Sequence, residues 1–97
     1  MASVIRWSVH AKTDIARLDD FLLSKDPHAA LRAVLAIRAA AEQLSDFPRL
    51  GYPIGDPDNH RDLRIAFGAG AYIIRYRVEF EDVVFITRVW HSRETRR

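Results

Sequence analysis

The hydrophobic spacing of this chain changes period once, and that change limits the fold more than any other feature. Between Thr13 and Ser45 apolar residues recur every three or four positions; from Asp62 to His91 they recur every second position. The first spacing gathers side chains on one face of a helix, the second on one face of a strand. Helices in one half and strands in the other predict an α+β fold. With 97 residues there is room for one core, so residues 1–97 are expected to form a single domain.

The local signals place the elements. Ile5, Trp7 and Val9 alternate with Arg6 and Ser8, which predicts a first strand over Val4 to Val9. Thr13 is the expected cap of a first helix whose apolar line is Ile15, Leu18, Phe21 and Leu22, ending near Ser24 or Lys25. Asp26-Pro27 then restarts the chain, because Asp offers a capping oxygen and Pro fits the first helical turn. A second helix is predicted from Pro27 to Leu44 or Ser45, with a stripe of Ala30, Leu31, Val34, Leu35, Ile37, Ala41 and Leu44. So short a connection forces an antiparallel helical hairpin.

Phe47-Pro48 ends helical character, and Gly51 to Asn59 reads as a turn-rich loop. Leu63, Ile65 and Phe67 mark a second strand, closed by Gly68 and Gly70. In the third, Tyr72, Ile74, Tyr76, Val78 and Phe80 share one face, and Ile73, Arg75, Arg77 and Glu79 the other. Glu81-Asp82 turns into a fourth strand, Val83 to His91, apolar at nearly every position and hence expected to be central. The order is β-α-α-β-β-β: a helical hairpin on one face of a mainly antiparallel four-stranded sheet. The other face has no second layer, so its apolar and arginine side chains are a candidate binding surface. Alternatively the arginine stems simply shield that surface, with their heads in water.

Composition narrows the function classes. There is no cysteine, which removes disulfides, thiolate nucleophiles and Cys-ligated metal sites. The four histidines are scattered without metal-ligand spacing, and Gly68-Ala69-Gly70 follows a strand into another strand rather than a helix, so no metal, phosphate loop or cofactor is expected. No apolar run could span a membrane and no export signal is visible, which points to the cytoplasm. Charge is uneven. Residues 1–60 carry seven Lys/Arg against eight Asp/Glu, or −1; residues 61–97 carry eight Arg against five acids, or +3. Arginine suits flat, two-pronged contacts with carboxylate or phosphate, so an acidic protein or a nucleic acid would fit equally.

Several motifs in this order carry a resemblance to a known family. They are Trp7-Ser8, Phe47-Pro48-Arg49-Leu50-Gly51, Arg61-Asp62-Leu63-Arg64, the strand Tyr72 to Val78, and Arg88-Val89-Trp90-His91-Ser92-Arg93. Together they span nearly the whole chain, which resembles the ParE/RelE toxin superfamily of type II toxin–antitoxin systems, and more closely its ParE branch. The resemblance implies a toxin held inactive by a cognate antitoxin, ParD-like or similar, that folds as it wraps the helical hairpin or the sheet. It also leaves room for a toxin dimer inside a larger complex. ParE-like toxins poison DNA gyrase, whereas RelE-like toxins cut mRNA on the ribosome without a metal.

The cutting chemistry needs groups for proton transfer and for the charged phosphorane. His91 is retained and is the candidate catalytic residue, since an imidazole can exchange protons near neutrality. The next position, Tyr in some nucleases of the superfamily, is Ser92, and a catalytic Arg of the third strand is replaced by Ile73. These departures favour a toxin that binds, with Arg64, Ile73, Arg75, Arg77, Arg88, His91 and Arg93 as candidate contacts to target or antitoxin. The alternatives are a ribosome-dependent endoribonuclease using His91 with strand arginines, and a weakly toxic protein acting mainly in a stable antitoxin complex.

Overall fold

The computed structural model describes residues 2–80 and 82–94. Strand β1 (Val4–Trp7) leads into helices α1 (Val9–Leu23) and α2 (Pro27–Asp46), followed by β2 (Tyr52–Pro53), β3 (Arg61–Phe67), β4 (Gly70–Glu79) and β5 (Val83–His91). The sheet order is β1-β5-β4-β3-β2, with β1 parallel to β5 and every other pair antiparallel.

The sheet therefore has five strands rather than the expected four. The additional one, β2, is two residues long and sits in the turn-rich loop, where Tyr52 pairs with Asp62 and Pro53 with Arg61. Two residues show no period, so alternation has nothing to register. The strand expected at the centre, β5, has neighbours on both sides over Val83–Ile86, while β4 is the middle strand.

Helix α1 begins earlier than expected. Ser8, not Thr13, is its cap: the Ser8 hydroxyl accepts the Ala11 N–H at 3.0 Å and donates to the Thr87 carbonyl at 2.9 Å. Thr13 lies inside the helix, its hydroxyl donating to the Val9 carbonyl. β1 accordingly stops at Trp7; Val9 continued the alternation by chance and is exposed. The start of α2 matches expectation. Asp26 accepts the N–H groups of His28 at 3.0 Å and Ala29 at 3.2 Å, and Pro27 opens the helix.

The core lies between the helices and one face of the sheet. Ile37 and Leu44 of α2 meet Tyr72, Ile74 and Tyr76 of β4 and Val84, Ile86 and Val89 of β5, all buried. Four alanines of α2 (Ala30, Ala33, Ala40, Ala41) are buried too and let that helix lie close to its neighbours. Truncating Ile37 or Leu44 to Ala in such a setting costs about 2–5 kcal/mol. Phe21, Leu31 and Leu35, expected in the apolar stripes, are instead exposed. Val78 and Phe80 continue the inward alternation of β4 but are exposed as well. Phe80 has a left-handed backbone, φ 57°, unusual for a bulky residue. Of the expected Glu81-Asp82 turn, Glu81 lies outside the described residues.

Candidate functional site

The strand register fixes which candidate side chains share a face. Arg64 pairs with Ile73 and Ile73 with Trp90; Asp62 pairs with Arg75 and Arg75 with Arg88; Arg77 and Arg6 both pair with Phe85. Residues opposite one another on adjacent strands point the same way. These alternate with the core residues, so they belong to the face turned from the helices. Arg64, Ile73, Arg75 and Arg77 are thus brought together, joined by Arg6, Phe85 and Trp90, which the sequence reading had not singled out.

The face is open but not bare. Ile73 and Trp90 are only 7% and 9% exposed. The Arg75 guanidinium lies 4.9 Å from the Trp90 ring centre, and that of Arg77 lies 5.2 Å from Phe85. Much of the apolar floor is roofed by arginine, as in the shielding alternative. The same arginines are held by acids. Arg75 makes a two-pronged contact with Asp62 at 2.8 and 3.0 Å, and Arg77 pairs with Glu79 at 2.6 Å. Arg6 and Arg64 are exposed and have no ion pair among the described residues. The result is a flat array of oriented guanidinium groups over aromatic rings, suited to carboxylates or phosphates that can replace Asp62 and Glu79.

Arg88 is different. Beyond Ile86, β5 has no β1 residue beside it, and α1 lies along that edge instead. Asp14, 3% exposed, accepts the Val89 N–H at 2.8 Å, two bonds from Arg88 at 2.8 and 3.1 Å, and one from Arg17 at 3.3 Å. Burial alone would raise the Asp14 pKa, but these donors outweigh it and hold the carboxyl below its ordinary value of 3.8. Arg88 therefore reaches round the sheet edge to secure α1. Asp14 falls on the buried line of α1 with Ala11 and Leu18, between apolar positions that gave it no signal in the sequence.

His91 pairs with Tyr72, so it lies on the helix side of the sheet, opposite Arg75 and Arg77. Its ring meets Tyr72 edge-on with centres 5.1 Å apart. Nδ1 accepts the Arg93 N–H at 3.1 Å, which places the proton of the neutral ring on Nε2. A Cβ at Gly70 would come within 2.8–2.9 Å of the ring, so this position tolerates only glycine while the histidine stays in place. Glu94 accepts the His91 N–H at 2.7 Å and pairs with Arg17 of α1, closing the C-terminal turn. Burial, with the nearby Glu94 charge, pushes the Tyr72 hydroxyl pKa up. Arg93, the remaining candidate, donates to the Ala69 carbonyl at 3.3 Å, beside the β3–β4 turn.

Two further polar arrangements were not foreseen. Tyr76, fully buried, accepts the Gly51 N–H at 2.8 Å; burial raises its pKa, opposed by this bond and by the Arg61 charge. A Cβ at Gly51 would meet the Tyr76 ring at 2.9 Å and the Asp62 carbonyl at 2.8 Å, so the close approach requires glycine. His60 is partly buried with Nδ1 2.6 Å from Asp56. Slight burial works against the Asp56 carboxylate, but the His60 bonds lower its pKa overall. Ligand-type atoms of Asp56, Asp58 and His60 lie within 4.8 Å of one another, a grouping that the spacing Asp-Pro-Asp-Asn-His could have signalled.

Comparison with known proteins bears on this geometry. The family model described as the ParE toxin of the type II toxin–antitoxin system, parDE, matches residues 5–96. The chain belongs to the ParE toxin family. Toxin RelE1 of Caulobacter vibrioides is 38% identical over 96 residues, covering 99% of this chain and all of the relative. Toxin RelE3 of the same organism is 41% identical over 86 residues, 89% of this chain and 90% of the relative. Among solved structures, the chromosomal ParDE system from P. aeruginosa aligns with a TM-score of 0.74 at 22% identity, covering 91% of this chain and 94% of that one. The RelBE2 toxin–antitoxin complex of Mycobacterium tuberculosis aligns at 0.60 and 24%, covering 94% and 99%. The chain is thus a type II toxin of the ParE/RelE superfamily. No helix among the described residues of this ParE-family toxin is long and apolar enough to cross a membrane.

Proposed function

We propose that this toxin acts in the cytoplasm by binding rather than by catalysis, with DNA gyrase as its target. A cognate ParD-like antitoxin neutralises it by covering the open sheet face. One observation carries binding over cutting: the sheet separates His91 from Arg64, Arg75 and Arg77. A metal-independent ribonuclease needs its proton-transfer group within about 3 Å of the reacting hydroxyl and its phosphate-binding cations around the same point. Here the imidazole lies on one side of the sheet beside Arg93, and the three strand guanidiniums lie on the other.

Gyrase as the target is supported by the ParE family match. The second reading, ribosome-dependent mRNA cleavage, is favoured by the RelE names of relatives 38% and 41% identical. Supercoiling and cleavage assays with gyrase, run beside an mRNA cleavage assay on translating ribosomes, separate the two. The expected outcome is gyrase inhibition with intact mRNA. Codon-dependent mRNA cuts with unaffected gyrase would defeat the proposal.

A further inference from the structure

Spacing between histidines gives no metal signal in this chain, but a single histidine with carboxylate partners leaves no such spacing to find. In the loop between β2 and β3, Asp56, Asp58 and His60 stand at alternate positions, and their ligand-type atoms lie within 4.8 Å of one another. The imidazole sets this group apart from an ordinary cluster of surface acids. Carboxylates alone suit magnesium or calcium, whereas a nitrogen donor among them shifts the preference toward zinc and its neighbours in the transition series.

The backbone fixes two of the three donors. Asp56 accepts the His60 N–H at 2.7 Å through its carboxylate and the Asn59 N–H at 3.2 Å through its carbonyl, and the His60 carbonyl accepts the Ile54 N–H at 3.1 Å. The side chains of Asp56 and His60 are only 25% and 12% exposed, which limits how far they can turn away. Asp58 is exposed and makes no ion pair among the described residues. Zinc bonds of about 2.0–2.2 Å place tetrahedral ligand atoms about 3.3 Å apart. The Asp56–His60 pair, at 2.6 Å, reaches that by opening less than about 1 Å, and Asp58 closes by up to about 1.5 Å through rotation of a free side chain.

We propose that Asp56, Asp58 and His60 form a binding site for a divalent ion of the zinc class. The ion takes the place of the proton between His60 Nδ1 and Asp56 Oδ2, which passes to solvent, and water completes the coordination. It ties the two ends of the 54–60 loop and so closes a hairpin that β2 and β3 hold by only two residue pairs. The next residues of β3 act elsewhere: Arg61 holds the Gly51 carbonyl, and Asp62 holds Arg75 on the open face. Arg75 also feels the Asp56 charge. An ion here therefore stiffens and partly neutralises the strand end that orients Arg75, whichever target the open face engages.

Calorimetric titration of the tag-free, chelator-treated chain with zinc chloride tests this. One ion per chain is expected, with a dissociation constant on the order of 10 µM, weaker than a four-ligand structural zinc site. Magnesium and calcium chloride should show no saturable binding below about 1 mM. Zinc at about ten times its dissociation constant should raise the melting temperature by about 5 °C or more and slow hydrogen exchange at the Ile54 and His60 amides. Asp58→Asn and His60→Gln are each expected to weaken zinc binding at least ~10-fold. Because Asp58 is exposed, its variant should melt like the wild type without zinc, which separates a lost ligand from a lost fold. His28→Ala, at an exposed position of α2, should leave the affinity unchanged. No saturable zinc binding up to about 500 µM overturns the proposal. So does binding that survives both Asp58→Asn and His60→Gln, or that disappears with His28→Ala. Magnesium binding as tight as zinc overturns the assignment to the zinc class.

Discussion

Two regions of this molecule use the same pairing of arginine with carboxylate in different ways. At the β5 edge, Asp14 is buried and collects bonds from Arg88, Arg17 and the Val89 backbone. On the open face, Asp62 and Glu79 each hold one arginine, and about a quarter to a third of each of these side chains is exposed to water. Removing the buried carboxylate leaves the Val89 N–H inside the protein without its acceptor, although Arg17 and Arg88 keep over two fifths of their side chains in water. Removing an exposed one lets solvent replace it. The first arrangement secures α1 to the sheet. The second keeps arginines oriented yet available for exchange with an incoming anion.

The largest effect is expected at the edge. Asp14→Ala should destabilise the fold by about 2 kcal/mol in chemical denaturation, whereas Asp62→Ala should cost no more than about 1 kcal/mol. Equal costs would erase the distinction between the regions. Affinity should respond in the opposite sense. Arg75→Glu combined with Arg77→Glu is expected to weaken antitoxin or target binding by about 10- to 100-fold with little loss of stability, as measured by calorimetric titration. Asp62→Ala sharpens the point: freeing Arg75 should leave affinity for an acidic partner unchanged or raise it by about two- to fivefold.

Acid titration separates the regions in another way. The Asp14 carboxyl has a pKa below 3.8 in the folded chain. Its stabilising contribution is therefore complete above that value and is lost as pH falls through the lower folded-state pKa. Asp56 is shifted in the same direction. Asp14→Ala should flatten the dependence of stability on pH below about pH 4 without abolishing it, as followed by circular dichroism. The smallest effect is expected at His91. His91→Ala should leave most toxicity intact in a growth assay, and loss by several orders of magnitude in a folded variant would restore the catalytic reading.

Much of this architecture was legible in the sequence because its signals are local. Asp26-Pro27 and the Ala-rich stripe define α2, and the alternation through Leu63–Phe67 and Tyr72–Tyr76 defines β3 and most of β4. What escaped depends on tertiary neighbours. β2 exists only because Asp62 and Arg61 lie opposite it. Ser8 begins α1 because its hydroxyl also reaches Thr87, 79 residues away. The candidate contacts were named as one group, yet the register divides them: Arg64, Ile73, Arg75 and Arg77 share a face, Arg88 turns to α1, and His91 and Arg93 gather at the β3–β4 turn. Alternation predicts which residues of one strand share a side, but Thr87 has no β4 partner, because the register shifts between Arg75 and Tyr76. That irregularity was invisible in the spacing.

The crowding of His91 against Gly70 has a consequence for how this chain can change. A side chain at position 70 collides with an imidazole held in place by Tyr72 and the Arg93 amide. Substituting the histidine by a smaller residue first removes the two shortest contacts and leaves only Ser92 Oγ at 3.1 Å, so alanine at 70 is accommodated more easily afterwards. Change at these two sites is therefore coupled, and the path that alters position 91 first is the easier one.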